Sequence, residues 1–367
     1  MTAPPRCQQA PLLSRRQDGS ALASPAEPRF TLRRLAGSGR ASFADDVRRG
    51  LSATPKFLLA KYFYDELGSR LFEAITVLPE YYVTRAETAV LTAHAGEIAA
   101  AVPGPVRLVE LGSGDARKTR LLIAALLARQ ETLEYLPIDV AESALARSGE
   151  DLTAEFPGLS ITGYVADYHD ALAALAVDLR SPADPEPGID GAEAAGDRRT
   201  LILFLGSTLG NLDADGQAAL LREVRATLAP GDGFLLGTDL RKPLSELIPA
   251  YDDALGVTAA FNLNILLRIN RELGGDFDLR AFRHLARYDE LDHRIEMHLE
   301  SRTAQRARIA GLDLTIDLLE GETIWTESSF KFSPEQVAAL AAATRFRLEH
   351  TWTDDGHRFG SHLLLAV

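Results

Sequence analysis

Two kinds of hydrophobic pattern follow one another along the chain. Between residues 86 and 241, short apolar runs recur at 106–111 (VRLVEL), 133–140 (LEYLPIDV), 160–165, 200–205 (TLILFL) and 233–239. They are largely continuous rather than alternating, which marks strands covered on both faces. Stretches of helical period separate them, at 86–101, 120–127 and 213–228. This succession predicts an α/β domain over 86–241, a Rossmann-like sheet with its chemistry at the carboxyl ends of the strands. From residue 242 the pattern changes. Two helices, one holding Tyr251-Asp252-Asp253 and one over 259–273, lead into segments at 293–302, 304–309, 312–318, 323–331 and 362–367. These alternate as antiparallel strands do. Together with residues 29–85 they are expected to form a second α+β domain over 242–367, built from both chain ends, with the active site between the two.

The punctuation fills in the remainder. Residues 1–28 mix Pro, Ser, Ala, Gln and Arg without a period and read as a disordered extension. Short helical turns are expected over 30–50, with Ser42 capping a helix over 43–49. Gly68-Ser69 reads as a turn between two short helices, the second ended by Leu78-Pro79. Residues 181–199, rich in Pro, Gly, Asp and Ala, read as a surface insertion.

Composition narrows the function classes. The 367 residues carry a formal charge of −13, which disfavours non-specific binding to nucleic acid or an anionic membrane. Cys7 is the only cysteine, so no intrachain disulfide or thiolate metal cluster forms. The eight histidines are scattered without HExxH spacing, and no metal is expected. No run reaches the ~20 apolar residues of a membrane span, and no secretory leader is evident. The expectation is a cytoplasmic, monomeric protein acting on a small molecule.

Candidate chemistry concentrates at the ends of the apolar runs. VRLVELGSG at 106–114 reads as a strand, a tight turn at Gly112 and Gly114, and the start of a helix, so backbone can approach a nucleotide-like ligand. Arg117 stands where a GxGxxG motif needs its third glycine, and GxxxxGK is absent. A neutral or cationic nucleoside such as S-adenosylmethionine suits the turn, with another nucleotide or an ordinary tight turn as alternatives. Asp139 ends the next strand, where a carboxylate accepts from ribose hydroxyls or caps the following helix. Asp167 and Tyr168 follow the third strand, placed to pair with an adenine amine and stack on its ring. In GSTLGN (206–211) the Asn211 amide either holds a substrate or caps the next helix. In TESSFK (326–331), Glu327 and Ser329 are two apart and share a strand face, a carboxylate and a hydroxyl suited to an imidazole, amine or amide. Residues 54–85 hold four of the nine tyrosines, namely Tyr62, Tyr64, Tyr81 and Tyr82, as helical core or as a pocket lining. Met297 reads as core.

The longer stretches carry more. KYFYDELGSRLFEAITVLPEYYVTR, LVELGSGDARKTR, FLGSTLGN, LLGTDL, AYDDALGVTAAFNLNIL, IEMHLESRTAQ and TESSFKF together resemble the bacterial L-histidine Nα-methyltransferases of ergothioneine biosynthesis. The resemblance runs from about residue 36 to the end. It implies a donor-binding methyltransferase domain with an appended domain, S-adenosylmethionine as methyl donor, and three successive methylations of L-histidine to hercynine. It further implies that Tyr64, Gly112, Lys118, Asp139, Asp167 and Tyr168 meet the donor. Histidine would be held by Tyr81, Gly206, Asn211, Tyr251, Met297, Glu327 and Ser329. In that scheme Tyr64, Asn211 and Tyr251 attend the reacting end, while Glu327, Ser329 and Tyr81 address the imidazole. The turn departs from the family in reading SGDARKT for SGTSEKT, and Tyr168 stands where the family has Phe. Three rival readings remain: methylation of another amino acid or small amine by the same fold, a donor-binding protein without turnover, and a nucleic-acid methyltransferase, whose basic channel the charge of −13 disfavours.

Overall fold

The computed structural model describes residues 29–35, 42–178 and 198–367. The extension at 1–28 and nearly all of the 181–199 insertion lie outside the described residues. The chain begins with β1 (Phe30–Arg34), α1 (Phe43–Leu51), β2 (Lys56–Phe57), α2 (Glu66–Thr76) and α3 (Val83–Ala101). Alternation follows: β3 (Val106–Leu111), α4 (Thr119–Leu127), β4 (Leu133–Asp139), α5 (Glu142–Glu155), β5 (Leu159–Val165), α6 (Tyr168–Asp178), β6 (Arg199–Phe204), α7 (Ala214–Thr227) and β7 (Gly233–Asp239). Then come α8 (Leu244–Tyr251), α9 (Val257–Leu273), β8 (Phe282–Asp289), β9 (Arg294–Ser301), β10 (Gln305–Ile309), β11 (Leu314–Leu318), β12 (Thr323–Phe330), α10 (Pro334–Ala343), β13 (Phe346–Thr353) and β14 (Phe359–Ala366).

The main sheet has eight strands in the order β1-β5-β4-β3-β6-β7-β14-β13, parallel from β1 to β7 and antiparallel for the last two. Its central strands are buried along nearly their whole length, as their continuous apolar runs require. One face packs on a core that includes Val90, Leu91 and Ile98 of α3 and Leu122, Ile123 and Leu126 of α4. The other packs on Leu220, Leu221 and Val224 of α7 with Val337 and Ala341 of α10. Strand order reverses between β3 and β6, so the turns after these two strands diverge and leave a crevice at their carboxyl ends.

A second sheet, β2-β12-β9-β8, covers that crevice. Its core draws Leu247 and Ala250 from α8, Phe261, Ile265 and Ile269 from α9, and Ile295, Met297 and Leu299 from β9. The two sheets are stitched where β7 and β12 end. Phe332 N–H donates to Asp239 O at 2.9 Å, and Arg241 N–H donates to Phe332 O at 3.0 Å.

Three expectations change. The last part of 242–367 was assigned to the second domain, but β13 and β14 extend the main sheet beyond β7. The run at 362–367 is continuous rather than alternating, and β14 is accordingly buried on both faces, as the main sheet's central strands are. Residues 30–34, expected as helical turns, form edge strand β1 beside β5. Gly68 is no turn: it lies inside α2, where an added Cβ would sit 1.7 Å from Phe63 O. Close approach of backbone explains this glycine. The cap at Ser42 is present, with Asp45 completing a capping box on α1.

Candidate active site

The first wall of the crevice is made largely of backbone. β3 ends in Gly112 and Gly114, both in the left-handed region at φ 72° and 52°. No atom lies within 4 Å of where a Cβ on either would stand, so the turn opens onto free space. Asp139, at the end of β4, accepts from Gly114 N–H at 2.9 Å and from Ala141 N–H at 2.9 Å. Burial raises its pKa, against the pull of those backbone donors. The carboxylate therefore shapes the glycine turn while keeping lone pairs for a ligand. Asp167 accepts from His169 N–H at 2.9 Å as α6 begins, and the Tyr168 ring packs on His169 and Phe204. Glu110, the acidic residue just before the turn, points away from it. It is buried and accepts from Thr119 at 2.7 Å and from Tyr135, and burial pushes its carboxyl up to about 7.

Lys118 joins this wall to its neighbour. It pairs with Glu87 of α3, which is fully buried. The same carboxylate accepts from Gly206 N–H at 2.9 and 3.0 Å. One buried anion thus ties the turn after β3 to the turn after β6. At that second turn Gly206 and Ser207 both have positive φ, 74° and 58°. Ser207 Oγ accepts from Asp239 N–H at 2.8 Å, which fixes the turn against β7. Asn211 does not cap α7, because Asp213 does so by accepting from Gly216 N–H at 2.8 Å. Among the described residues the Asn211 amide has no hydrogen-bond partner, and it stays half-buried at the crevice.

The opposite wall is made of side chains. A bulge in β12 between Trp325 and Glu327 resets the strand, so that Glu327 stands opposite Met297 of β9. Met297 itself is 2 % exposed and belongs to the core. Burial pushes the Glu327 carboxyl up to about 7, against the attraction of Lys331. Ser329 Oγ and Tyr251 OH lie 2.7 Å apart, and Lys331 Nζ donates to both at 2.7 Å. Lys331 also pairs with Asp239 at 2.9 Å, both side chains being fully buried. Asp239 further accepts from Tyr82 OH and from Lys242. Burial works to raise its carboxyl, but Lys331 and Lys242 hold it below the usual range.

Tyr64 and Tyr81 close the site from the N-terminal segment. Burial raises both hydroxyls, reinforced at Tyr64 by Glu327, Tyr251 and Asp139 and at Tyr81 by Tyr251, Tyr64 and Glu327. Tyr64 is 37 % exposed, and its ring packs edge-on against Phe72 and Phe261. Of the residues proposed from the sequence, Gly112, Asp139, Asp167 and Tyr168 follow the ends of β3, β4 and β5, Gly206 and Asn211 follow β6, and Tyr251, Glu327 and Ser329 lie on α8 and β12; Lys118 is turned onto Glu87, and Met297 is wholly buried.

Sequence reasoning missed Glu87, Asp239, Lys242 and Lys331 as members of the site, while Tyr82, one of the tyrosines read as core or pocket lining, proves to bond Asp239. Lys331 had a signal: it continues the period of two through Glu327 and Ser329. Glu87 had none, being one acid among many in a helical run.

A doubly wound sheet with an open glycine turn and a carboxylate on the next strand is the frame of a nucleoside-dependent transferase, and the chain belongs to the family of SAM-dependent, histidine-specific methyltransferases, whose model matches residues 43–366. It is 46 % identical to the histidine N-alpha-methyltransferase of Mycolicibacterium smegmatis, over 88 % of this chain and 94 % of that protein. To the histidine N-alpha-methyltransferase of Mycobacterium tuberculosis it is 42 % identical, over 89 % of this chain and 95 % of that one. The ergothioneine biosynthesis protein 1 of Neurospora crassa is 29 % identical over 84 % of this chain and 33 % of that protein.

Proposed function

We propose that this enzyme transfers methyl groups from S-adenosylmethionine to the α-amino nitrogen of L-histidine, three times in succession, giving hercynine. The observation that carries the reading is the pairing of an open glycine turn with the half-buried Glu327 carboxylate and the buried Ser329 and Tyr251 hydroxyls. Glycines 112 and 114 leave the room a nucleoside needs, and Asp139, Asp167 and Tyr168 line its carboxyl-end surroundings. The bound donor supplies an already activated methyl group. The protein must therefore chiefly align a neutral amine with it.

Asn211 and Tyr251 are assigned to the amino-acid end, Glu327 and Ser329 to the imidazole, with Tyr81 beside them. Glu327 accepts from the ring N–H. A histidine amine is mostly protonated at neutral pH, and among the described residues no dedicated strong base is evident for it. The proton leaves to water or through Tyr64 before each attack, and three rounds require a site that does not depend on a second amine N–H. Asn211, whose amide is uncommitted, meets that requirement by holding the carboxylate rather than the amine.

The test is incubation with donor and a panel of amino acids, read by mass spectrometry. Additions of one, two and three methyl groups to histidine are expected. Methylation of another amino acid instead of histidine would overturn the acceptor, and donor binding without any product would overturn the enzyme.

A further inference from the structure

Lys331 is the only lysine among the described residues that is buried to 2 % exposure, and it sits against the acceptor wall. With Asp239 and Lys242 it makes a buried cluster of two cations and one anion. Burying such charges costs several kcal/mol each, and well-packed apolar residues often serve stability as well. The cluster therefore calls for a purpose beyond holding the fold.

The hydrogen-bond inventory supplies one. An ammonium has three N–H donors and no acceptor. Those of Lys331 go to Asp239 at 2.9 Å, to Tyr251 OH at 2.7 Å and to Ser329 Oγ at 2.7 Å, and none is left over. Each hydroxyl thus has one lone pair occupied from below. The two hydroxyls are themselves 2.7 Å apart, so one O–H lies between them. With Tyr251 assigned to the amino-acid end and donating to Ser329, both lone pairs of Ser329 are filled and its own O–H is the one left to meet the ring. The wall then offers one donor from the hydroxyl pair and one acceptor from Glu327. A neutral imidazole has one N–H and one bare nitrogen, and an imidazolium has two N–H groups. Only the neutral ring matches.

We infer that Lys331, anchored by Asp239, is a positioning residue that orients the Tyr251 and Ser329 hydroxyls so that the pocket selects a neutral imidazole. It also places a positive charge beside the Glu327 carboxylate. Lys331 follows Glu327 and Ser329 at the strand's period of two, and its ammonium is the cation that draws the Glu327 carboxyl down, while Tyr64, Tyr81 and Tyr251 interact with that carboxyl without adding positive charge. Removing it leaves both hydroxyls free to reverse and Glu327 easier to protonate. The inference rests on the proposed histidine acceptor, and its test separates the two.

Wild type, Lys331→Met and Lys331→Arg are compared by steady-state kinetics with histidine across pH, with donor affinity from calorimetry. For K331M the histidine KM should rise about thirtyfold, and the acid limb of kcat/KM should move up by about one pH unit. Donor affinity should stay within about threefold. Arginine keeps the charge but not the three-way geometry, so K331R should raise KM and leave the acid limb in place. A K331M enzyme that binds donor normally, with KM and acid limb both unchanged, overturns the inference. If K331M fails to fold, K331R decides: an unchanged KM overturns it. A wild type that does not methylate histidine overturns the functional reading and this inference with it, whereas an active wild type with silent variants overturns this inference alone.

Discussion

The two walls of the crevice are built from different materials. On the donor side the shape comes from backbone: two left-handed glycines, and N–H groups of Gly114 and Ala141 closing on Asp139. On the acceptor side it comes from side chains gathered from α8 and β12 and backed by buried charges at the end of β7. A backbone wall is insensitive to most substitutions, because the N–H groups stay whatever side chain replaces a neighbour. A wall of side chains can be altered one group at a time. The acceptor side should therefore suffer the larger single losses.

The largest effect is expected at Glu327. In Glu327→Ala the imidazole N–H loses a charged acceptor in a buried pocket, a loss of about 3 kcal/mol, or roughly a hundredfold in histidine affinity. Donor affinity should hold. Calorimetry with each ligand reads both, and unchanged histidine binding would remove Glu327 from the pocket. Next comes Asp139→Ala, which removes the carboxylate on which the N–H groups of Gly114 and Ala141 close. Donor affinity should fall about thirtyfold, with histidine binding at saturating donor little altered. A donor affinity unmoved by this change would mean that the backbone alone makes the site.

pH sharpens the contrast further. Glu327 must be ionised to accept from the ring, and burial lifts its carboxyl to about 7. Protonation removes the acceptor, so affinity is lost as pH falls through that value. Below it the histidine KM should rise about tenfold per pH unit. Comparison with Glu327→Gln isolates this limb from titration of the substrate, because the amide has no such protonation. Identical acid limbs in the two enzymes would assign the effect to histidine alone.

The difference between the walls also explains what could be read from the chain. The donor wall was legible because its parts are local: β3, its glycine turn and Asp139 at the next strand end lie in consecutive elements with their own periods. The pair Glu327 and Ser329 was legible for the same reason, through a period of two within β12. What joins them was not. Asp239 appears in sequence as the polar end of an apolar strand, and only the stitch of β7 to Phe332 brings it under Lys331. The placement of β13 and β14 beside β7 escaped because 362–367 was read as alternating, whereas its apolar run is continuous and β14 is buried on both faces like the other strands of the main sheet. The long stretches shared with histidine methyltransferases supplied the acceptor that no local pattern contained.

The smallest expected effect belongs to the residue that contradicts a clean division into walls. Glu87 holds Lys118 from the donor turn and the N–H of Gly206 from the turn after β6. It touches neither proposed ligand site by itself, yet it sets the distance between the two turns. Glu87→Gln keeps one oxygen for the Gly206 N–H and removes the charge that holds Lys118. If the walls act independently, only the donor side should respond, through Lys118. If Glu87 couples them, both affinities should fall together, by about threefold each. The stronger sign of coupling is in the order of binding: saturating donor should improve histidine affinity in the wild type more than in E87Q. Equal improvement in both enzymes would return Glu87 to a purely local role and leave the two walls as separate sites that happen to share a crevice.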